Sequence, residues 1–553
     1  MTEPTRPLAH PTLNDKGQWV GVSATTPKEI TTRGALTAPP SRVIPVVVVP
    51  GIMGSNLRAK LNPGKDTSAA LKPGAPAWRP PNGKVDGYKA ANKWKGRSPK
   101  KRQQILDPSI LEVDDGGEID LPYIAFIEGL REQHVRDRGW GEIHHDSYGK
   151  LLYTLECNLN TTFFARKPDR ALRPHWKNVN KFDRKSWNAP VTGLTAPLSW
   201  AEFEKFAGYH YPVYACGYNW LRSNEESAKL LKDRIKKIIA FWSSRKQTCK
   251  QVILVTHSMG GFVARACAKE IPDLIAGIVH GVMPAFGAPV CYRRIACGIE
   301  TSSPGGGWIA NLEMEKFADI AGATTEATTA VMATAPGVLE LLPNHLYPKP
   351  WLFATGKREY PPDRDYLSLP EGSPYDMYRD TTSWYRVIDP ALADPAGKYT
   401  SLPGGVEKAV QEAISQAEIF HTKILDTYYH PNSYAFYCDA SSPSTYGNCR
   451  WLTYGALAGM SVNDVGKAKV IGTTTSAAGR NVELKDTSVT YFAHLAQDTG
   501  GDGTVPIQSG AGPLGSVKRV FATRGYDHQG SYNDEAMLAL TQHLIVKIVQ
   551  DVK

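Results

Sequence analysis

Residues 255–261 read VTHSMGG. An apolar run, a serine and then two glycines is the pattern of a strand that turns sharply into a helix, with a hydroxyl exposed at the apex as a nucleophile. A serine hydroxyl is weakly nucleophilic near neutral pH. It needs a positioned base, and the base needs a carboxylate to orient it. Two downstream segments hold those residue types, DTGGDGTVP at 498–506 and GYDHQGSY at 525–532, each after a strand-like run (VTYFAHLAQ and VKRVFAT). Ser258, Asp502 and His528 are thus candidate nucleophile, acid and base, in the chain order expected when successive strands of a parallel sheet each deliver one group.

The same segments contain competitors. Asp498 is the fallback for the acid, whereas Asp527 adjoins His528 and is badly placed to orient it. His494 lies in a strand-like run and competes for the role of base. His257 neighbours Ser258, so its side chain should project away from the nucleophile and pack or hydrogen-bond structurally. Thr256 stands where G-x-S-x-G has its first glycine, and a strand that merely ends in serine is the alternative reading of so short a motif. Acyl transfer also needs N–H donors for a tetrahedral oxyanion. The backbone of Met259, directly after the serine, is one candidate. The other is the backbone of Ile52 in PGIMGSN at 50–56, a glycine-containing turn after an early strand.

Positioning these groups calls for a sheet. RVIPVVVVPG at 42–51 is an uninterrupted β-branched run bounded by Pro and Gly, as in a strand buried on both faces. YPVYACGYNWLRSNEESAKLLKDRIKKIIAFW at 211–242 reads as strand then helix. Ser223 and Glu226 there have capping-box spacing, and Ala228, Leu231, Ile235, Ile238 and Trp242 share one helical stripe. A further strand is expected at 275–284, and a C-terminal amphipathic helix carrying Met537, Leu540, Leu544, Ile548 and Val549. Repeated strand-helix units predict an α/β fold with a mostly parallel sheet covered by helices. The expected organisation is a tail or strap over 1–41, a core over 42–290 and 485–553 with a long insertion at 58–205, and a cap or lid insertion over 291–484.

Composition narrows the function classes. With 553 residues, 49 Gly and 40 Pro, the chain can bury a large core and must carry many loops. No run approaches the roughly 20 apolar residues of a membrane span. The polar start MTEPTRPLAHPTLNDKG lacks the apolar stretch of a secretory signal, so the expectation is synthesis in the cytoplasm and export by a route that reads no such signal. Net charge is +10, with a basic cluster KAANKWKGRSPKKR at 89–102 that suits a solvated loop or anionic phospholipid. No nucleic-acid recognition motif accompanies it. Eight cysteines without C-x-x-C exclude a disulfide scaffold, although Cys438 and Cys449 bracket a Gly/Ser/Pro-rich loop and could be bridged in an oxidising compartment.

VVVVPGIMGSNL, the YNW after a strand, THSMGG, FGAP at 286–289, GVLELLP at 337–343 and GGDGTVP together resemble the lecithin:cholesterol acyltransferase-like lipases of the α/β-hydrolase superfamily. Among bacterial members the chain looks like the type VI secretion lipase effectors, which deliver phospholipase activity into competitor cells. The resemblance implies an α/β-hydrolase fold with large cap or lid insertions, a triad of Ser258, Asp502 and His528, and oxyanion donors at Ile52 and Met259. It further implies membrane phospholipid as substrate, an immunity protein, and a secretion-spike or adaptor partner. Neither metal nor cofactor is expected, since a serine hydrolase needs none. Acyl transfer to another alcohol, an intracellular esterase, and a hydrolase-like binding scaffold are the alternatives.

Overall fold

The computed structural model describes the chain apart from residues 1–4, 8–11, 15–17, 22–32, 36–37, 65–69, 123–129, 165–170, 303–307, 358–361, 456, 458 and 473–478. Most of the expected 1–41 tail therefore lies outside the described residues. Its Trp19 packs edge-on against His210 of the core.

Six strands form the central sheet: β1 (Val46–Val49), β2 (Val213–Ala215), β3 (Val252–His257), β4 (Ile275–Gly281), β5 (Ser433–Cys438) and β6 (Arg519–Thr523). Their order is β2-β1-β3-β4-β5-β6, and every neighbouring pair is parallel. Four helices cover it: α1 (His145–Leu159), α2 (Asn224–Ser244), α3 (Gly260–Glu270) and α4 (Glu535–Gln550). The β-branched run of β1 is explained by this double cover. Val47 and Val49 join the layer with Leu231 and Ile235 of α2 and Phe262 of α3. Val46 and Val48 join the opposite layer with Leu151 and Leu155 of α1 and Leu540 and Leu544 of α4. Burying each such side chain contributes roughly 1.5–3 kcal/mol, so a polar residue fits neither face of this strand. The stripes expected on α2 and α4 are all buried.

Three boundaries differ from the sequence expectation. Helix α1 lies within the 58–205 stretch yet packs on the central sheet, because Tyr148, Leu151, Leu152, Leu155 and Leu159 make one apolar face. Strand β5 lies within the 291–484 stretch yet pairs between β4 and β6. A second six-stranded sheet, built from segments between 352 and 494, runs past the expected end of the cap at 484 and takes in Val489–His494. Cys438 belongs to β5 and Cys449 to the second sheet, and both thiols are free. Among the described residues no helix is long and apolar enough to cross a membrane.

The motifs of the resemblance meet in space. A Cβ on Gly337 of GVLELLP would come within 2.2 Å of the Arg222 carbonyl, and one on Gly287 of FGAP within 2.1 Å of the Leu342 carbonyl. Glu340 of the same segment reaches the start of α2. Its carboxylate accepts from Ser223 Oγ at 2.7 Å, Asn224 N–H at 2.8 Å and Asn224 Nδ2 at 2.7 Å. This displaces the expected capping box. Ser223 does cap α2, but it accepts the Glu225 N–H, while Glu226 turns outward to Arg222.

Burial raises the Glu340 carboxyl to about 8, against the lowering effect of the Asn224 and Ser223 donors. A folded-state value above the unfolded one of about 4.3 means that this group's contribution to stability is full below that value and is lost as pH rises through about 8. The thermal midpoint of the wild-type protein should therefore fall between pH 6 and pH 9 by more than that of Glu340→Gln, whose side chain stays neutral throughout. Circular-dichroism melts of both at the two pH values test this, and equal falls would contradict it.

Candidate active site

Strand β3 ends at His257 and α3 begins at Gly260, so Ser258 and Met259 make the whole turn. Ser258 has φ +53°, a left-handed conformation that disfavours side chains, and its N–H is tied to the Gly281 carbonyl at 2.9 Å. Such strain at a single non-glycine residue is a feature of nucleophile turns. Crowding sets the flanking residues. A Cβ at Gly260 would lie 2.5 Å from the Val49 and Pro50 carbonyl oxygens, and one at Gly261 would lie 2.4 Å from Met283 Sδ. Thr256 escapes that constraint. It faces His280 across the β3–β4 pair, with Oγ1 3.1 Å from His280 Nδ1, so the strand's neighbour accepts its side chain.

Ser258 Oγ lies 2.8 Å from His528 Nε2, and His528 Nδ1 lies 2.7 Å from Asp502 Oδ2. The other Asp502 oxygen accepts the Thr504 and Val505 N–H groups at 3.0 and 2.7 Å. Both of its oxygens are thus occupied, and the carboxylate cannot swing away from the imidazole. The His528 N–H donates to the Asp502 carbonyl at 2.8 Å, which joins the two loops by main chain as well. Ser258 is 3% exposed and Asp502 2%.

Asp502 arrives by a detour. Its loop follows Val489–His494 of the second sheet in sequence, yet the Gly501 N–H bonds to the Ala440 carbonyl at 2.8 Å, just beyond the end of β5. The excursion from 439 to 498 leaves the central sheet after β5 and returns to the same edge.

The competing residues are engaged elsewhere. Asp498 accepts Gly447 N–H, Asn448 N–H and Asn448 Nδ2. Asp527 accepts the Gly530 N–H within its own turn. His494 is buried beside Tyr446 and Trp451, and burial pushes its imidazole down to about 3. His257 is held between the Tyr148 hydroxyl, 2.9 Å from its Nδ1, and the His528 carbonyl, 2.8 Å from its Nε2.

The turn after β1 lies against the nucleophile, with an imagined Gly51 Cβ only 2.9 Å from Ser258 Cβ. Trp78 Nε1 braces this turn by donating to the Met53 carbonyl at 2.8 Å. Ile52 sits in this turn and Met259 at the start of α3. Among the described residues neither backbone N–H is given to an acceptor. Tyr148, which contacts both Gly51 and His257, was missed from sequence because it lies on a helix inside the presumed insertion; the apolar stripe of that helix was the available signal. Among the described residues no group of three or more His, Cys, Asp or Glu side chains could hold a metal ion.

A six-stranded parallel sheet, covered by helices on both faces and ending in a strained serine turn, matches known proteins. The PGAP1-like alpha/beta domain family matches residues 221–298, which span β3, the turn and β4. The chain has an α/β-hydrolase fold. A chain in the crystal structure of the Tle4-Tli4 complex is similar at 28% sequence identity and a TM-score of 0.72, over 92% of this chain and 99% of that one. No curated protein sequence matches.

The crowding makes a test of the turn independent of any activity. Gly260→Ala would press a methyl group on the carbonyls of Val49, at the end of β1, and of Pro50, just after it, and overpacking of this kind costs about 1–3 kcal/mol. A urea denaturation midpoint lowered correspondingly is expected, whereas an unchanged midpoint would contradict the close approach of β1 to this helix.

Proposed function

We propose that this protein is a serine lipolytic hydrolase that cleaves acyl esters of glycerophospholipids. The observation that carries the proposal is the hydrogen-bonded chain from Ser258 Oγ through His528 to Asp502, set at a strained strand-to-helix turn. Ser258 attacks the ester carbonyl while His528 Nε2 takes its proton. The imidazolium is stabilised by Asp502, which holds the tautomer with Nδ1 protonated. The Ile52 and Met259 N–H groups receive the oxyanion. Collapse of the tetrahedral intermediate expels the alcohol, to which His528 returns the proton, and water activated by the same imidazole releases the fatty acid.

Likeness to a chain of the Tle4-Tli4 complex supports the type VI effector reading, in which the enzyme attacks membranes of a competitor cell from its periplasm or membrane surface. Because that structure is a two-protein complex, we also assign this chain an immunity protein that binds it in the producing cell; the effector reading adds a spike or adaptor protein for export.

Purified protein mixed with phospholipid vesicles should release fatty acid. Ser258→Ala should reduce release to background, and Asp502→Asn should lower kcat by about 10^3- to 10^4-fold, because the base then takes the wrong tautomer. Release by Ser258→Ala at the wild-type rate would remove this serine from the mechanism.

A further inference from the structure

Three hydrogen bonds link the turn that carries Ile52 to the loop that carries His528. The Gly51 N–H lies 3.0 Å from Tyr148 Oη, Tyr148 Oη lies 2.9 Å from His257 Nδ1, and His257 Nε2 lies 2.8 Å from the His528 carbonyl oxygen. The direction of every proton follows from the two ends. A main-chain carbonyl only accepts, so His257 Nε2 carries a hydrogen. The neutral imidazole then presents a lone pair at Nδ1, which takes the Tyr148 hydroxyl proton, and the Tyr148 oxygen is left to accept the Gly51 N–H. Charge does not disturb this pattern, since burial, with His528 adding to it, pushes His257 down to about 3. Both side chains are buried, and the His257 ring is held edge-on between Tyr148 and Tyr532, at centroid distances of 5.5 and 6.1 Å. Tyr532 also donates to the Thr256 carbonyl at 3.0 Å, fixing the end of β3 beside the same ring.

We propose that Tyr148 and His257 are positioning residues: they lock the turn bearing the Ile52 N–H to the main chain of His528, so that the oxyanion donor and the base hold one spacing about Ser258. The inference rests on the hydrolase reading above. Neither side chain is hydrogen-bonded to Ser258 Oγ or to the His528 imidazole, although the His257 ring lies beside that imidazole at a centroid distance of 5.0 Å. Their contribution is to keep a donor and a base, delivered by the first and the last strands of the sheet, in register across the nucleophile. The chain is also saturated, because Tyr148 Oη accepts one proton and donates another, and each ring nitrogen of His257 has one partner. Removing the middle hydroxyl leaves a buried N–H and a buried imidazole nitrogen unpaired at once.

The test separates positioning from plain stability. An alkyl fluorophosphonate phosphonylates the serine, forming O–P, expelling fluoride and passing the hydroxyl proton to His528. An alkylboronic acid takes Ser258 Oγ as its fourth ligand, forming O–B as the hydroxyl proton passes to His528, and the tetrahedral boronate places an oxygen in the oxyanion site. Tyr148→Phe keeps the ring and should slow labelling of Ser258 and weaken boronate binding together, by about 10- to 100-fold, with the melting temperature within a few degrees of wild type. His257→Gln, whose amide nitrogen can still donate to the His528 carbonyl, should recover part of the rate that His257→Leu loses. Labelling and boronate affinity at wild-type levels in folded Tyr148→Phe would overturn the proposal even if His257→Leu fails to fold. If wild-type Ser258 takes no label, the hydrolase reading itself fails and the positioning role with it.

Discussion

The left-handed backbone of Ser258 is the constraint on which the rest of the site depends. Holding a non-glycine residue there costs on the order of 1–3 kcal/mol, and the cost is met only where the surroundings leave no other choice. The Gly281 carbonyl fixes the serine N–H from one side, and the first turn of α3 is pressed against β1 from the other. Gly51 and Gly260 are glycine because β1 and the turn after it pass so close that a methyl group would overlap main chain or the His257–Ser258 pair. The hydroxyl is thereby presented at the carboxyl end of the central sheet, where the loops after the other strands converge.

Convergence does not follow chain order simply. Strand β5 and the acid that belongs at its end are separated by most of the second sheet, and the acid's loop is returned by main-chain bonds to residue 440. Once returned, Asp502 is held by four contacts, three through its carboxylate and one through its carbonyl. The large intervening segment can therefore be elaborated without moving the carboxylate, since the anchor lies at the two ends of the excursion.

The segment between β4 and β5 is fastened to the core by buried polar contacts as well as by apolar packing. Glu340 accepts the first backbone N–H of α2, the helix packed beside α3, and His421 donates to the Glu340 carbonyl from farther along the same segment. A buried carboxyl in that place ties the segment to the helix layer behind the site. YNW, FGAP and GVLELLP form one contact region, with glycines where main chains touch.

Local sequence determined much of this protein. The β-branched run of β1, the stripe on α2, and the serine, aspartate and histidine in glycine-bounded loops were legible because period, turn chemistry and side-chain chemistry act within a few residues. Their candidate roles were legible too, since His528, and not His494 or His257, followed the last strand before an amphipathic helix. Tertiary structure alone decided the remainder. Helix α1 and strand β5 lay inside stretches that read as insertions, because membership of a sheet or its cover is settled by long-range pairing that leaves no local mark. Thr256 could stand in place of glycine because His280, on the neighbouring strand, receives its hydroxyl. The link from Gly51 through Tyr148 and His257 to His528 joins four separated parts of the chain, and hydrogen-bond direction exists only once folding has brought their donors and acceptors together.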